Sequence, residues 1–385
     1  MKIKNIYTLL CLLFYCGNSS AQDSITTIKK WRVGGYIKYV PSIQFDEDFI
    51  NTNTVNLIHQ RINIKWNQSS DVYFNGEFRN RIFIGEIADR SKDFENRLHN
   101  NSGAITLDKI WINERGIAFH TNTERLYTHI QKEKWNARIG RQRINWGITN
   151  YWNPNDIYNA YNFLDIDYEE RAGVDAVKWQ YYLSDFANIE LVYAAPEKNQ
   201  SVSAARYFFN KNNYDIQVIG GWYKNQLTIG TGWAGNIAEA GFKGEVQFYC
   251  KHDQLEEQLN ISIGTDYLFK KGWYLNAGFL YNSRGINSKL DDWADLNLNL
   301  SAKNLMPGKY SLMLACSKEF SPIHAANFNL VYSPRISLLI LMPSVSFNLH
   351  PDLDADIICQ SYFCDLQSSF KGIKYLGVFR IRWSF

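Results

Sequence analysis

Long apolar runs are missing from this chain. Beyond residue 21 the longest, Ile336–Met342, is about a third of the roughly 20 residues a membrane-spanning helix needs, so helical passage through a bilayer is excluded. Cysteine is scarce, with six in 385 residues. Cys11 and Cys16 lie in the opening segment; Cys250, Cys316, Cys359 and Cys364 are scattered along strand-like stretches without zinc spacing. They read as small apolar wall residues, and a Cys359–Cys364 disulfide in an oxidising compartment stays open. Nucleophile motifs are absent too, with no G-x-S-x-G and no H-E-x-x-H. No charge run occurs, and a formal net charge of +3 argues against nucleic acid as a partner.

The chain does have two distinctive ends. Lys2 and Lys4 precede an apolar stretch, Ile6–Tyr15, and Ser19-Ser20-Ala21 supplies small residues. That is a secretory signal peptide over 1–21, cleaved after Ala21. Its removal takes two lysines and no acids, leaving a net charge of +1. A lipoprotein anchor through Cys16 is disfavoured by Phe14-Tyr15, where small residues are wanted. At the other end Phe379, Ile381, Trp383 and Phe385 share one face of a strand, opposite Val378, Arg380, Arg382 and Ser384. One apolar face, one Arg-bearing face and a terminal Phe suit a wall with lipid outside and water inside. This ending reads as a membrane-insertion signal for the barrel-assembly machinery.

Between the ends, short segments alternate with period 2. Trp273, Leu275, Ala277, Phe279 and Tyr281 oppose Tyr274, Asn276 and Asn282; Phe242, Val246 and Phe248 oppose Lys243, Glu245 and Gln247. Aromatics reach 15 %, as the interfacial girdles of a transmembrane barrel require. Such segments predict about 18 strands (16–18), an even number. Short turns at 67–70, 132–133, 184–185, 212–213 and 271–272 share one rim; long connections at 85–121, 147–170 and 284–307 share the other. That asymmetry is the barrel pattern, with short periplasmic turns and long extracellular loops. The expected fold is all-β: a periplasmic segment over 22–30, then one antiparallel barrel over 31–385 without a plug domain.

One stretch carries a chemical signature. Gly140-Arg141-Gln142-Arg143-Ile144-Asn145-Trp146-Gly147 closes a strand, and a bulge at Gly140 would turn Arg138, Arg141, Arg143 and Asn145 into the lumen. Asn153-Pro154-Asn155-Asp156 opens a loop, in which Asp165, Asp167 and Glu169 follow at spacing two, beside Glu170. With Arg79, Arg81 and Glu77 these are the expected pore-lining or constriction residues. Opposed charges across a constriction filter ions by sign and size. The same charges could instead pin the loop to the wall. Calcium at Asp165, Asp167 and Glu169 is a weaker reading, because Glu170 stands where an EF-hand loop needs Gly.

This stretch resembles a family of porin-like outer-membrane proteins from the Bacteroidota, broadly similar to alginate-export-type barrels. The matching residues are Gly140–Gly147, Trp152–Asp156 and Glu169-Glu170-Arg171 with Asp175, together with the Arg380–Phe385 ending. The resemblance implies a single barrel across about residues 31–385, with the 147–170 loop at or in the pore. Read together, the expected role is an outer-membrane channel for small hydrophilic solutes. The arginine excess favours anionic or sugar-like ones. Outer-membrane lipid is the surrounding partner, no cofactor or metal is implied, and the oligomeric state is open. The alternatives are a closed barrel acting as a surface or assembly protein, a barrel hydrolase and a soluble β-sandwich.

Overall fold

A computed structural model describes residues 29–50, 52–85, 98, 103–159, 162–167, 172–197, 200–293, 296, 298, 300–366 and 369–385. The proposed signal peptide and the calcium and constriction candidates Glu169 and Glu170 lie outside the described residues. The strands are β1 (Trp31–Asp46), β2 (Thr52–Asn67), β3 (Val72–Gly85), β4 (Asp108–Glu114), β5 (Ile117–Gln131), β6 (Trp135–Gln142) and β7 (Val174–Ser184). Next come β8 (Ala187–Glu197), β9 (Gln200–Lys211), β10 (Tyr214–Tyr223), β11 (Gln226–Ile237), β12 (Ala240–Tyr249) and β13 (Gln258–Leu268). The last are β14 (Trp273–Asn282), β15 (Tyr310–Ser321), β16 (His324–Ser333), β17 (Leu338–His350), β18 (Leu353–Leu366) and β19 (Ser369–Ser384).

The strands pair antiparallel in chain order, save that β3 pairs with β5, and β1 pairs with both β2 and β19, so the sheet closes on itself. The C-terminal Phe385 completes the seam, exchanging two 2.9 Å backbone hydrogen bonds with Gly35. Among the described residues β4 pairs only with β5, which leaves eighteen strands in the closed wall. Closure leaves that wall without a free edge, the condition for crossing a bilayer with strands.

Period-2 patterning decides which side each residue takes. In β10 and β13, Gln217, Asn260 and Ser262 are buried inside, whereas Val218 and Ile263 are exposed on the outside. Exposed Ile229, Leu312, Leu314, Ile357 and Phe379 continue this outer skin around the wall. Water-soluble monomers rarely expose contiguous apolar patches beyond a few hundred Å²; this surface is built for lipid. On one rim the connections are short, as at 132–134, 212–213 and 238–239. On the other lie the long excursions 86–116, 143–173 and 283–309, matching the expected rim asymmetry.

Two cysteines settle an open point. Cys359 is exposed on the outer face and Cys364 is buried inside, and all four described cysteines are free thiols. Five residues along one strand separate them by about 16 Å and point them oppositely, so no disulfide joins them.

The lumen is asymmetric. Along β14–β18 an apolar cluster faces inward, in which Leu280, Met313, Val331, Ile340 and Tyr362 pack with loop residues Trp152, Leu164, Leu290 and Met306. Full burial of each such side chain is worth roughly 1.5–3 kcal/mol. That half is filled by the 143–173 and 283–309 segments. Inward charged side chains are concentrated along β1–β3 and β5–β9, with Glu245 of β12 and the Asp356–Arg380 pair of β18–β19 besides.

Candidate functional site

The segment 143–173 leaves the wall at the end of β6 and folds into the barrel. Ile144, Trp146, Ile157 and Tyr158 pack on the inner faces of β7–β12, among them Val192, Ala204 and Ile219. Its fixed point is Glu245 of β12, fully buried beneath it. One carboxylate oxygen accepts from Ile148 N (2.5 Å), Thr149 N (2.7 Å), Thr149 Oγ1 (3.1 Å) and Asn153 Nδ2 (3.0 Å). The other accepts from Asn155 N at 2.8 Å. Asn155 is itself held by the Val246 carbonyl and by Gln247 and Gln217 side chains, each at 2.9 Å. Trp146 Nε1 donates to Glu190 of β8. The Gly147–Asp156 motif is therefore a cage for a wall carboxylate. Gly147 is required by packing, since a Cβ there would lie 2.5 Å from Asn153 Cγ. Sequence reading placed Glu245 in the lumen but missed this role; its signal is an acid on an inward face opposite an amide-rich turn.

At its far side the loop is tied to different strands. Asp167 meets Lys38 Nζ at 2.9 Å, His59 Nδ1 at 2.9 Å and Arg79 Nη2 at 2.7 Å. Lys38 also donates to the Asp167 carbonyl at 2.9 Å. Burial alone would raise the Asp167 carboxyl; the His59 hydrogen bond and the charges of His59, Arg79 and Lys38 outweigh it and hold the group well below the ordinary carboxylate range. Asp165 is exposed and accepts the Asp167 backbone N–H at 3.0 Å. With Asp167 so engaged by cations, a calcium ion is disfavoured at this position. Among the described residues no group of three or more His, Cys, Asp or Glu is placed to hold a metal. The acidic loop thus faces Lys38, His59 and Arg79 rather than Arg138–Arg143. Lys38 and His59 were absent from the expected constriction set.

Arg141 corrects the expectation for its strand. Pairing runs unbroken through Arg141↔Asp175 and Gln142↔Val174, and the register shift lies across the ladder, at Glu124 of β5. Gly140 takes φ +121° and is pressed on the Leu126 carbonyl, where a Cβ would sit 2.3 Å away. Arg141 keeps the parity of exposed Ile139 and is itself 3 % exposed. It holds Asp175 at 2.8 Å and the Thr123 carbonyl at 3.4 Å, and donates to the Ile105 carbonyl at 2.6 Å. It is a wall rivet where β6 departs, not a lumen residue.

The remaining basic residues converge. Arg125, Tyr127, Arg138, Arg143, Asn145 and Lys178 line a cavity of about 380 Å³ on the inner face of β5–β7. Arg125 reaches Glu77 at 3.2 Å, and Arg61 pairs with the same carboxylate. Lys178 reaches Glu190 at 2.7 Å, with Arg206 at 3.6 Å. Arg79 also meets Glu124 at 3.4 Å, and Arg81 donates to His120 at 3.1 Å. Several cations are oriented by aromatic faces: Lys65 over Tyr73 at 3.7 Å, Arg138 over Tyr127 at 5.5 Å, and Arg206 over Trp146 at 5.7 Å. A ring positions a cation without cancelling its charge.

No family model matches the chain, and no curated protein sequence does. Solved structures do. Acinetobacter baumannii OccAB1 superposes with a TM-score of 0.60 at 10 % identity, covering 93 % of this chain and 97 % of that one. OccAB4 of the same organism gives 0.59 at 8 %, covering 94 % and 100 %. The outer membrane protein OpdK from Pseudomonas aeruginosa gives 0.55 at 6 %, covering 92 % and 98 %. This likeness is one of fold: a closed 18-strand antiparallel barrel.

Proposed function

We infer that the protein is an outer-membrane channel that passes small hydrophilic solutes and prefers anions. The carrying observation is the division of the lumen. One half is packed with apolar loop residues, while the other presents Arg125, Arg138, Arg143 and Lys178 around one cavity. Solutes then pass along the basic wall, where the low-dielectric surroundings strengthen the field of each cation. The loop cage at Glu245 and the latch at Asp167 hold 143–173 across the barrel and so set the aperture. Exposed apolar residues around the whole wall support the membrane location. An export signal over 1–21 and recognition of the β19 ending by the barrel-assembly machinery complete this reading. The kinship with Bacteroidota porin-like barrels rests on the Gly140–Gly147 and Trp152–Asp156 residues.

Planar-bilayer recording under a KCl gradient tests it. The expected result is a stable conductance whose reversal potential shows chloride preferred over potassium. Replacing Arg138 and Lys178 by Glu should move that potential toward cation preference. Absence of conductance would favour a closed surface protein, and cation preference in the unaltered chain would sink the anion reading.

A further inference from the structure

The apolar outer skin of the wall is interrupted over β2–β5. Trp31, Trp66, Phe74, Thr128 and Ile139 share one cross-strand row on that face. The neighbouring row runs Val33, Ile64, Gly76 and Leu126. Glycine thus stands where its partners in the row carry branched aliphatic side chains. Its φ lies outside the left-handed region, so the backbone conformation does not call for glycine. A glycine inside a strand often marks a place where another group approaches closely. Around Gly76 the surface sinks into a groove of about 480 Å³, walled by Ile64, Phe78, Leu126 and Ile139. Trp31, Trp66 and Phe74 close one end as a stack, with ring centroids 5.5 Å and 4.9 Å apart. Trp31, Phe74, Leu126 and Ile139 are all exposed, which puts the groove on the lipid side of the wall. The stacked end lies at the short-turn rim, where β2 finishes at Asn67 and β3 starts at Val72. There the Asn67 N–H donates to the Lys30 carbonyl and Asn67 Nδ2 to the Lys29 carbonyl, each at 2.8 Å. Two exposed lysines are thereby held beside Trp66. An apolar trough within the bilayer and cations at its mouth suit a ligand with an apolar tail and an anionic head.

We propose that this groove seats one acyl chain of an anionic phospholipid of the periplasmic leaflet, with the lipid phosphate at Lys29 and Lys30. The inference rests on the outer-membrane location and on the short rim being periplasmic; it does not depend on which solute the lumen passes. Lipid tails are as apolar as the wall, so seating a chain gains no hydrophobic energy over bulk lipid. What distinguishes this site is packing and charge. Methylene groups entering the Gly76 gap meet side chains on three sides, which adds dispersion contacts that a convex wall does not offer. Trp31 stands at headgroup level, where tryptophan is enriched in membrane proteins. Each lysine beside an anionic headgroup strengthens binding about fivefold at low salt.

The test reconstitutes the whole protein in vesicles of phosphatidylethanolamine and phosphatidylglycerol, one of the two carrying a photoactivatable group in its acyl chain. Labelled peptides are mapped after illumination. Labelling should concentrate on 64–78 and 126–139, and phosphatidylglycerol should label them about fivefold more than phosphatidylethanolamine. Gly76→Leu fills the trough and should abolish that concentration while the rest of the wall labels as before. Gly76→Ala is the milder variant, its new Cβ lying 3.2 Å from the Phe78 ring; it should reduce the labelling in part. Lys29→Gln combined with Lys30→Gln should keep the groove labelled and lose the preference for phosphatidylglycerol. Heat-modifiable migration on gels confirms that each variant has formed its barrel. Labelling spread evenly round the wall, or unchanged in Gly76→Leu, overturns the seat. Equal labelling by the two lipids, or a preference that survives the lysine replacements, overturns the anionic headgroup. Disulfide-linked dimers formed by Gly76→Cys but not by the unaltered chain assign the groove to a second copy and overturn the lipid. A chain that does not enter vesicles overturns the outer-membrane reading and the seat with it.

Discussion

Replacing Glu245 by Gln changes only one atom of a buried side chain, yet it should loosen the pore loop. Four donors converge on one carboxylate oxygen and the Asn155 N–H on the other, and none of these contacts uses Glu245 as a donor. That is the acceptor-only inventory of an ionised carboxylate. A glutamine keeps its oxygen at the crowded position and then turns its NH₂ toward Asn155 N, donor against donor. One charge-assisted bond is lost, about 1.5–3 kcal/mol, and one buried N–H is stranded, about 1–3 kcal/mol more. A value near 3 kcal/mol is about a hundredfold shift toward loop release. Glu245→Ala strands the Ile148, Thr149 and Asn155 N–H groups, while Thr149 Oγ1 and Asn153 Nδ2 keep the Trp152 and Thr149 carbonyls, and should release the Gly147–Asp156 turn outright. Single-channel recording should show brief high-conductance excursions in Glu245→Gln and a permanently raised, noisier conductance in Glu245→Ala. Limited proteolysis within 147–156 should accelerate in the same order. Both variants should still migrate as heat-modifiable barrels, because the wall pairings of β12 are backbone contacts. Conductance and proteolysis identical to wild type in Glu245→Ala would refute the cage as the fixed point of the loop.

The Asp167 latch gives a pH prediction. Its folded pKa is depressed, so its contribution is present above the unfolded value of about 3.9 and is lost only as pH falls through the lower folded value. Conductance should therefore hold steady from pH 7 to pH 5 and rise only in stronger acid; a step near pH 6 would assign the latch to a histidine instead. Asp167→Asn breaks buried ion pairs, at a cost of about 3–5 kcal/mol, and should strengthen anion preference by uncovering Lys38 and Arg79. Arg141→Gln should lower the temperature at which the barrel opens in detergent while leaving ion selectivity alone, since Arg141 bridges wall strands; a selectivity change would return it to the lumen. A membrane-permeant maleimide should label Cys359 in intact outer membranes and spare Cys364, and comparable labelling of both would contradict their opposite faces.

The barrel was legible because each strand repeats one decision, in or out, every second residue. Val218 and Gln217 are told apart by chemistry alone, and the 18-strand wall follows from summing such choices with the rim lengths. β4 escaped because it is an appendage: among the described residues it pairs only with β5, continuing that strand's edge above the point where β6 leaves, and seven residues on one partner carry little pattern. Arg141 escaped for a related reason. Its identity and spacing match a lumen ladder, and only the departure of β6 creates the gap between β5 and β7 that it fills. The Asn153-Pro154-Asn155-Asp156 turn was visible, but its partner lies some ninety residues away on β12, and nothing local to either segment announces the pairing. Asp167 likewise selected Lys38, His59 and Arg79 over the nearer Arg138–Arg143, because the loop crosses the lumen before it returns to β7. Periodicity reports the side of the wall a residue takes. Which residues then meet inside depends on the course of a loop, which is set by tertiary contacts such as the Glu245 cage. The like-charged row at Arg138 and Lys178 belongs to both levels. Parity puts each inward and register sets them opposite, with Glu190 beside Lys178 offsetting part of the repulsion.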